Sequence, residues 1–253
     1  MIVNGYVLFS IKRYFIFAPL LFAAMLVSSC SKQLVDYNYK ITVEVETPEG
    51  LVSGHAVRRV QVRESTELSI PSPGSLRTKT IGEAVAVDLP NGETLFTLVS
   101  LSDSTTESAI VPEDWVAPEG QKYSEAVARY LAARRDQSFQ LARDRWEPGY
   151  KDKKHPKHIS NYPLFVRFRD VDDPKTIEFV DPDDLTFSFG DGYDLKGITV
   201  QITDEHVTQS ILARLPWLNR QTGSLAPTSI GASDEKQQLA TITEWNFYRG
   251  PSQ

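Results

Sequence analysis

The clearest chemistry in this sequence belongs to its single cysteine, Cys30. It follows the small residues Ser28 and Ser29, at the end of an apolar run over residues 14–27. A cysteine thiolate is a nucleophile that can be alkylated or oxidised. A disulfide within the chain is excluded because there is no second cysteine. The sequence therefore predicts that Cys30 is modified by another reagent or remains a free thiol.

The residues before Cys30 predict an export signal. Lys12 and Arg13 are followed by an apolar run shorter than the roughly 20 residues that a helix needs to cross a bilayer. The segment 27–30, Val-Ser-Ser-Cys, resembles the bacterial lipobox. That resemblance implies cleavage between Ser29 and Cys30, a diacylglyceryl group on the thiol and an acylated new amino terminus. Two or three acyl chains would hold the protein on a membrane.

Two other interpretations of this segment stay open. Residues 1–29 can be an ordinary signal that leaves a free thiol, or an uncleaved anchor, since residues 6–11 are also apolar. In the sorting pattern of lipoproteins an acidic residue after the cysteine favours the inner membrane, and this chain has Ser31 there. We therefore expect a protein anchored through lipid in the cell envelope, on the periplasmic face of the outer membrane.

A basic loop with a His-x-x-His pair is the second candidate. His155 and His158 have a spacing found in zinc sites, but Pro156 argues against a helix and no third ligand is adjacent. We expect a solvated loop. The alternative is contact with anionic headgroups or lipopolysaccharide phosphates, because a lysine beside an anionic membrane adds about 1 kcal/mol. The lysines concerned are Lys151, Lys153, Lys154 and Lys157.

Aspartates cluster in the stretches 170–174, 181–184 and 191–194, where their carboxylates could bind calcium. The spacing does not match a calcium loop, because the sixth position counted from Asp181 is Thr186 and not glycine. Asp-Pro and Asp-Gly pairs are typical of turns between strands. We favour turns, and we predict no metal ion and no other cofactor.

Enzyme motifs such as Gly-x-Ser-x-Gly, His-Glu-x-x-His and the phosphate-binding loop are absent from the sequence. We interpret His55 and His206 as structural or surface residues, and we predict no catalytic residue. Aromatic residues could line a glycan or peptide groove, although aromatic side chains more often fill cores. They are Tyr37, Tyr39, Trp115, Trp146, Trp217 and Trp245.

Alternating apolar and polar residues predict about eight strands. Pro48-Glu49-Gly50 and Asn91-Gly92 predict turns, and a shift of phase between Val57 and Val60 predicts a bulge. The predicted strands cover residues 39–46, 51–62, 85–89, 94–101, 164–168, 185–189, 198–202 and 245–247. A long helix, or two shorter ones, is predicted over residues 123–146, and a short helix from Thr203 or Asp204 to Leu215.

Three segments, 39–50, 82–89 and 180–185, together with Leu215-Pro216-Trp217-Leu218, resemble a group of uncharacterised proteobacterial envelope proteins. The resemblance covers most of residues 37–218. It implies a shared fold and compartment and says nothing about mechanism.

These observations together predict an α+β fold, mainly an antiparallel sheet or sandwich with one long and one short helix, after a cleaved signal. The predicted parts are a signal at 1–29, a lipidated tether at 30–37, a globular domain at 38–218, and a flexible loop with a terminal strand at 219–253. The net charge of −6 argues against a nucleic-acid partner. We expect a non-enzymatic binding or structural module with the membrane and an envelope protein as partners. The alternative is an envelope-acting hydrolase or metal-dependent enzyme.

Overall fold

The computed structural model describes residues 31–65, 76–99, 118–147, 157–226 and 234–251. These residues form twelve strands and four α-helices, and the longest helix has 11 residues. The strands are β1 Ser31–Thr47, β2 Gly50–Ser65, β3 Leu76–Glu83, β4 Val85–Asp88, β5 Thr94–Thr97, β6 Ser138–Gln140, β7 Asp144–Glu147, β8 Lys157–Ser160, β9 Phe165–Phe168, β10 Ile177–Val180, β11 Asp194–Thr203 and β12 Tyr248–Arg249. The helices are α1 Tyr123–Ala133, α2 Leu185–Phe189, α3 Ile211–Arg214 and α4 Asp234–Leu239.

Two main sheets carry the fold. One has six strands in the order β12-β3-β2-β1-β11-β6, and the other has four strands in the order β10-β9-β5-β4. Strands β7 and β8 form a separate two-stranded sheet. The pairs β1–β11, β4–β5, β5–β9 and β9–β10 are all antiparallel. The prediction of a mainly antiparallel, sandwich-like α+β fold is therefore confirmed.

The described residues belong to two compact units. The first contains residues 31–34, 62–65 and 76–77, which are the beginning of β1, the end of β2 and the beginning of β3. The second contains residues 35–61 and the described residues from 78 onward.

The alternation predicted for β1 is confirmed. Tyr39, Ile41, Val43 and Val45 are completely buried, whereas the residues between them are half-buried or exposed. The β1–β11 register shifts at Glu44, just before Val45, so a bulge lies at this point. The polypeptide then turns at Pro48 and Glu49 into β2, as predicted.

A cluster of aromatic side chains fills the core beside the four-stranded sheet. Phe96 and Phe168 meet edge to face with ring centroids 5.5 Å apart. Phe247 and Trp217 complete the cluster, with their ring centroids 5.5 to 6.0 Å from those of the rings they contact. Aromatic pairs in this geometry add about 0.5–1.5 kcal/mol beyond the area they bury. Phe247 comes from the C-terminal segment, and Leu225 and Ile242 belong to the same core. The predicted domain boundary at residue 218 is therefore wrong, because later residues complete the core.

A single residue, Ala84, links β3 in the larger sheet to β4 in the smaller one. Close to this crossing, β2 approaches the backbone of β4. A methyl group on Gly54 would lie 2.1 Å from the carbonyl oxygen of Ala86, which is a severe steric clash. Glycine fits at this position because it has no side chain. The two sheets therefore touch through their backbones at this position.

Arg58 on β2 is buried at the same crossing, with 1% of its surface exposed. Its Nε donates to the carbonyl oxygen of Glu83 at 2.9 Å, and its Nη2 lies 3.4 Å from the carbonyl oxygens of Thr97 and Leu98. The Glu83 carboxylate is also buried, and it accepts hydrogen bonds from Ser210 Oγ and from the backbone N–H of Ile211 at the start of α3. This one arginine thus connects β2, β3 and the end of β5.

The buried arginine also explains the phase shift that the sequence shows in β2. Gly54, Ala56, Arg58 and Val60 are all buried, so alternate positions keep one buried phase through residues 54–60. The apolar pattern is interrupted because a charged side chain occupies a core position. Val57, on the other face, is buried as well, and the burial of a cation accounts for the gap in the apolar pattern; the bulge stays a prediction.

The long helix predicted over residues 123–146 is wrong beyond Ala133. Asp136 adopts a left-handed backbone conformation with φ of 62°, which aspartate tolerates better than most residues. The following residues pair with β11 as β6, which places Gln140 opposite Thr199. Pairing with the sheet outweighs the high helix propensity of this alanine- and arginine-rich segment.

Three other predicted elements differ from the structure in length or in type. The helix predicted to start near Thr203 is confined to α3: residues 204–209 are irregular, and Thr208 donates its N–H to the carbonyl oxygen of Val57 instead of to a helical partner. Residues 185–189, predicted as a strand, form α2. The strand predicted over residues 245–247 is mostly a 3₁₀ turn, Glu244–Asn246, followed by β12.

Candidate functional site

A groove of about 580 Å³ opens at the end of β10, in the four-stranded sheet. Its walls come from the segment before β9, from the end of β10 and from α2. The apolar and aromatic residues that line it are Tyr162, Pro163, Leu164, Phe165, Phe179, Val180, Pro182 and Phe187. The polar residues are Arg143, Ser160, Asp181, Asp184, Ser188 and Gln238. The groove is open to solvent and combines apolar and polar groups in similar amounts, and its volume is within the range of ligand sites.

Phe187 is the most unusual residue of the groove, because 88% of its surface is exposed. It lies on α2, whose first turn is capped by Asp184: the Asp184 carboxylate accepts a hydrogen bond from the Phe187 N–H at 3.1 Å. Gly190, with φ of 101°, ends the helix. An aromatic side chain left almost wholly in water loses the free energy of burial, so a partner that covers it would gain that energy.

The position of α2 is fixed by Arg167 on β9. Its guanidinium forms ion pairs with Glu93 at 3.2 Å and Glu178 at 3.0 Å, and it donates a hydrogen bond to the carbonyl oxygen of Ser188. It also lies over the ring of Phe189, 5.6 Å from its centroid. The helix that presents Phe187 is therefore held in place by a half-buried ion network and does not depend on the groove being filled.

Arg143 also lines the groove and makes several contacts there. Its guanidinium binds both carboxylate oxygens of Asp183, at 3.3 and 2.9 Å, and also donates to Ser160 Oγ. The same guanidinium stacks over the Tyr162 ring at 5.1 Å. The hydrogen bond from Arg143 is the main cause of a lowered pKa of Asp183. This part of the groove is consequently ionised and ordered near neutral pH.

Most of the predicted site residues fall outside the described residues. These are Cys30, Ser29, Lys151, Lys153, Lys154, His155 and Trp115. Lys157 and His158 belong to β8, which pairs with β7. The lipidation site and the basic loop therefore stay predictions from sequence.

The remaining histidines lie on the surface. His55 on β2 and His206 after β11 are both exposed. Glu205 accepts a hydrogen bond from Lys40, which is the main cause of its lowered pKa, and the charge of His55 lowers that pKa a little further. His55 is thus near the carboxylate of Glu205 on the exposed surface, and it is not one of the described groove residues.

The acidic stretches have the turn geometry that we favoured. Asp170 accepts from the N–H of Asp172, Asp173 accepts from Lys175, and Asp181 accepts from Asp183, at 2.9 to 3.0 Å. These are aspartate turns, in which the side chain replaces a backbone acceptor. In the described ranges, no group of three or more His, Cys, Asp or Glu residues is arranged to hold a metal ion.

The aromatic residues that we singled out do not form one surface. Tyr39 is buried in the core, and Trp217 packs against Phe168 and Phe247 while its Nε1 donates to the Val171 carbonyl oxygen. Trp245 is 43% exposed, at a smaller cavity of about 260 Å³. Of the side chains in this group that the structure describes, Tyr37, Tyr39, Trp217 and Trp245 are not among the groove residues, and Tyr39 and Trp217 pack in the core, which is the commoner role of aromatic side chains.

Sequence reasoning missed Arg143, Tyr162 and Phe187, which the structure brings together around the groove. A signal for α2 was present: Asp184 and Gly190 bracket five residues, as an amino-terminal cap and a carboxy-terminal glycine bracket a helix. The alternation of Leu185, Phe187 and Phe189 with polar residues is instead typical of a strand. A helical turn instead sends Leu185 and Phe189 inward and leaves the residue between them outside.

Within the described ranges, none of the helices reaches the length and hydropathy required to span a membrane. Comparison of the chain with protein-family models, curated proteins and solved structures found no match.

Proposed function

We propose that this protein is a lipid-anchored module of the cell envelope that binds a partner through the groove beside β10. The observation that carries the proposal is the 88% exposure of Phe187 on the wall of a cavity of about 580 Å³. Aromatic side chains that are solvated in the free protein and buried by a partner contribute strongly to many interfaces. The rigid placement of α2 by Arg167 lowers the entropy that binding would cost.

The alternative class, a hydrolase or a metal-dependent enzyme, has less support from the described residues. The groove lining contains Ser160 and Ser188; the Ser160 hydroxyl is bonded to Arg143, and among the described residues the lining includes no histidine. A serine nucleophile needs an adjacent base to remove its proton. The apolar walls and exposed aromatic ring are those of a binding site.

The anchor belongs to the same proposal. Signal cleavage between Ser29 and Cys30 and acylation of Cys30 would place the domain on the periplasmic face of the outer membrane. Cys30→Ala should abolish the incorporation of radiolabelled palmitate and release the protein from the membrane fraction. Retention of Cys30→Ala in the membrane with an unchanged mass would support an uncleaved anchor instead.

Photocrosslinking in cells tests the groove. A benzoylphenylalanine replaces Phe187 in the full-length chain, and the matched control carries it at Leu51, which is 54% exposed and lies outside the groove. We expect a discrete crosslinked species from position 187 and none from position 51. The absence of any adduct at position 187, or identical adducts from both positions, would contradict the binding proposal.

A further inference from the structure

The groove passes the edge of a strand and does not lie on one face of the sheet. Phe179 and Val180 are neighbours on β10, so their side chains point to opposite faces, yet both line the groove. Strand β10 is the terminal strand of its sheet, with β9 as its pairing neighbour. Helix α4 also contacts β10 and supplies Gln238 to the groove, so an additional strand would pair with β10 beside α4.

The rim of the groove carries an excess of negative charge. Asp183 is neutralised by Arg143, whereas Asp181 and Asp184 form no ion pair within the described part of the chain. Their bonded oxygens accept backbone N–H groups, which leaves both carboxylate charges uncompensated. The groove lining thus holds Asp181 and Asp184 beside Arg143, whose charge is already paired with Asp183, and a cationic ligand would balance the two remaining carboxylates.

From these observations we propose that the groove binds an extended protein segment that pairs with the edge of β10. This inference rests on the binding function proposed above and names its ligand class. An apolar side chain of the segment would occupy the space beside Tyr162 and Phe187, and a lysine or arginine one or two positions away would face Asp181 and Asp184. Strand addition of this kind takes its affinity from main-chain hydrogen bonds and its specificity from side-chain pockets.

Selection from a displayed library of random dodecapeptides tests the ligand class. The full-length protein, purified in detergent, is the bait. We expect enriched peptides that combine aromatic or branched aliphatic residues with lysine or arginine. Binding of the best peptide should weaken about tenfold with Asp181→Asn, Asp184→Asn or Phe187→Ser. Asparagine caps helices as well as aspartate does, so Asp184→Asn removes the charge while keeping the cap of α2.

Matched controls separate binding from folding. Asp191→Asn, an exposed position outside the groove, should leave peptide affinity unchanged. Each variant should keep the circular dichroism spectrum of the parent protein. Amide hydrogen exchange then reports the pairing: bound peptide should slow exchange in residues 177–180.

Several results would overturn the inference: no enriched peptide, enrichment without basic residues, or unchanged exchange in residues 177–180. The photocrosslinking at position 187 distinguishes this failure from failure of the binding function itself. An adduct there, with no basic peptide selected, would leave the binding module standing and reject the extended basic segment as its ligand.

Discussion

Replacement of Arg58 by methionine should destabilise the domain far more than the same change at Arg59, its neighbour in sequence. Arg58 is buried and hydrogen-bonded to three backbone carbonyls. Arg59 is exposed and pairs with Asp36. Methionine keeps an unbranched apolar side chain in each position, so the comparison isolates the polar interactions.

The expected difference follows from the distances. The bond to Glu83 at 2.9 Å has good geometry, and hydrogen bonds to charged groups contribute about 1.5–3 kcal/mol. The contacts at 3.4 Å to the carbonyl oxygens of Thr97 and Leu98 are weaker, but Arg58→Met leaves these oxygens without the guanidinium. We expect a loss of about 3 kcal/mol for Arg58→Met and at most about 1 kcal/mol for Arg59→Met, because exposed ion pairs contribute little.

Urea denaturation followed by tryptophan fluorescence measures both free energies of unfolding. Circular dichroism in the absence of urea establishes that each variant is folded at the start. Equal losses for Arg58→Met and Arg59→Met would refute the reasoning, since they would mean that the buried guanidinium contributes no more than a solvated one. A stabilised Arg58→Met protein would show that the cost of burying the charge exceeds the value of its bonds.

Two further changes test the contact between the sheets and the surface charges. Gly54→Ala should lower the thermal midpoint by several degrees or prevent folding, because the new methyl group would collide with the Ala86 carbonyl; an unchanged midpoint in a thermal melt would contradict the close approach. A hydrogen bond from Arg214 is the main cause of the lowered pKa of Asp88. The ion pair between the two residues therefore stabilises the folded protein at a pH above the ordinary aspartate pKa, and this stabilisation is lost as the pH falls through the lowered pKa of Asp88. Arg214→Met should therefore be less stable than the parent by up to about 1 kcal/mol at pH 6, with the gap closing as the pH falls through the lowered pKa of Asp88 in urea titrations; a constant gap would count against this ion pair.

The sequence predicts the strands with regular alternation best. In β1 every second residue from Tyr39 to Val45 is buried, and β4 and β5 join through the turn that contains Asn91 and Gly92, where Gly92 has φ of 86°. These features are local, because a two-residue period or a glycine with positive φ is determined within a few residues.

The elements that were missed depend on distant partners. Residues 138–140 leave the predicted helix to pair with β11, and Thr208 gives its N–H to Val57, about 150 residues earlier in the chain, rather than to a helical partner. The groove has the same origin. Arg143, Tyr162 and Phe187 come from three separate segments, and nothing in the spacing of one segment indicates the others.

The link through Ala84 has a consequence for how the domain unfolds. A slip of one residue in β3 would move its side chains to the opposite face, and the same slip would be transmitted to β4 because only one residue separates them. We therefore expect a change of register in one sheet to disturb the other. Ala84 also donates its N–H to the carbonyl oxygen of Phe247, so the C-terminal segment is tied to the same point. The two sheets and the C-terminal segment should thus be lost in one cooperative transition, without an intermediate in which a single sheet persists.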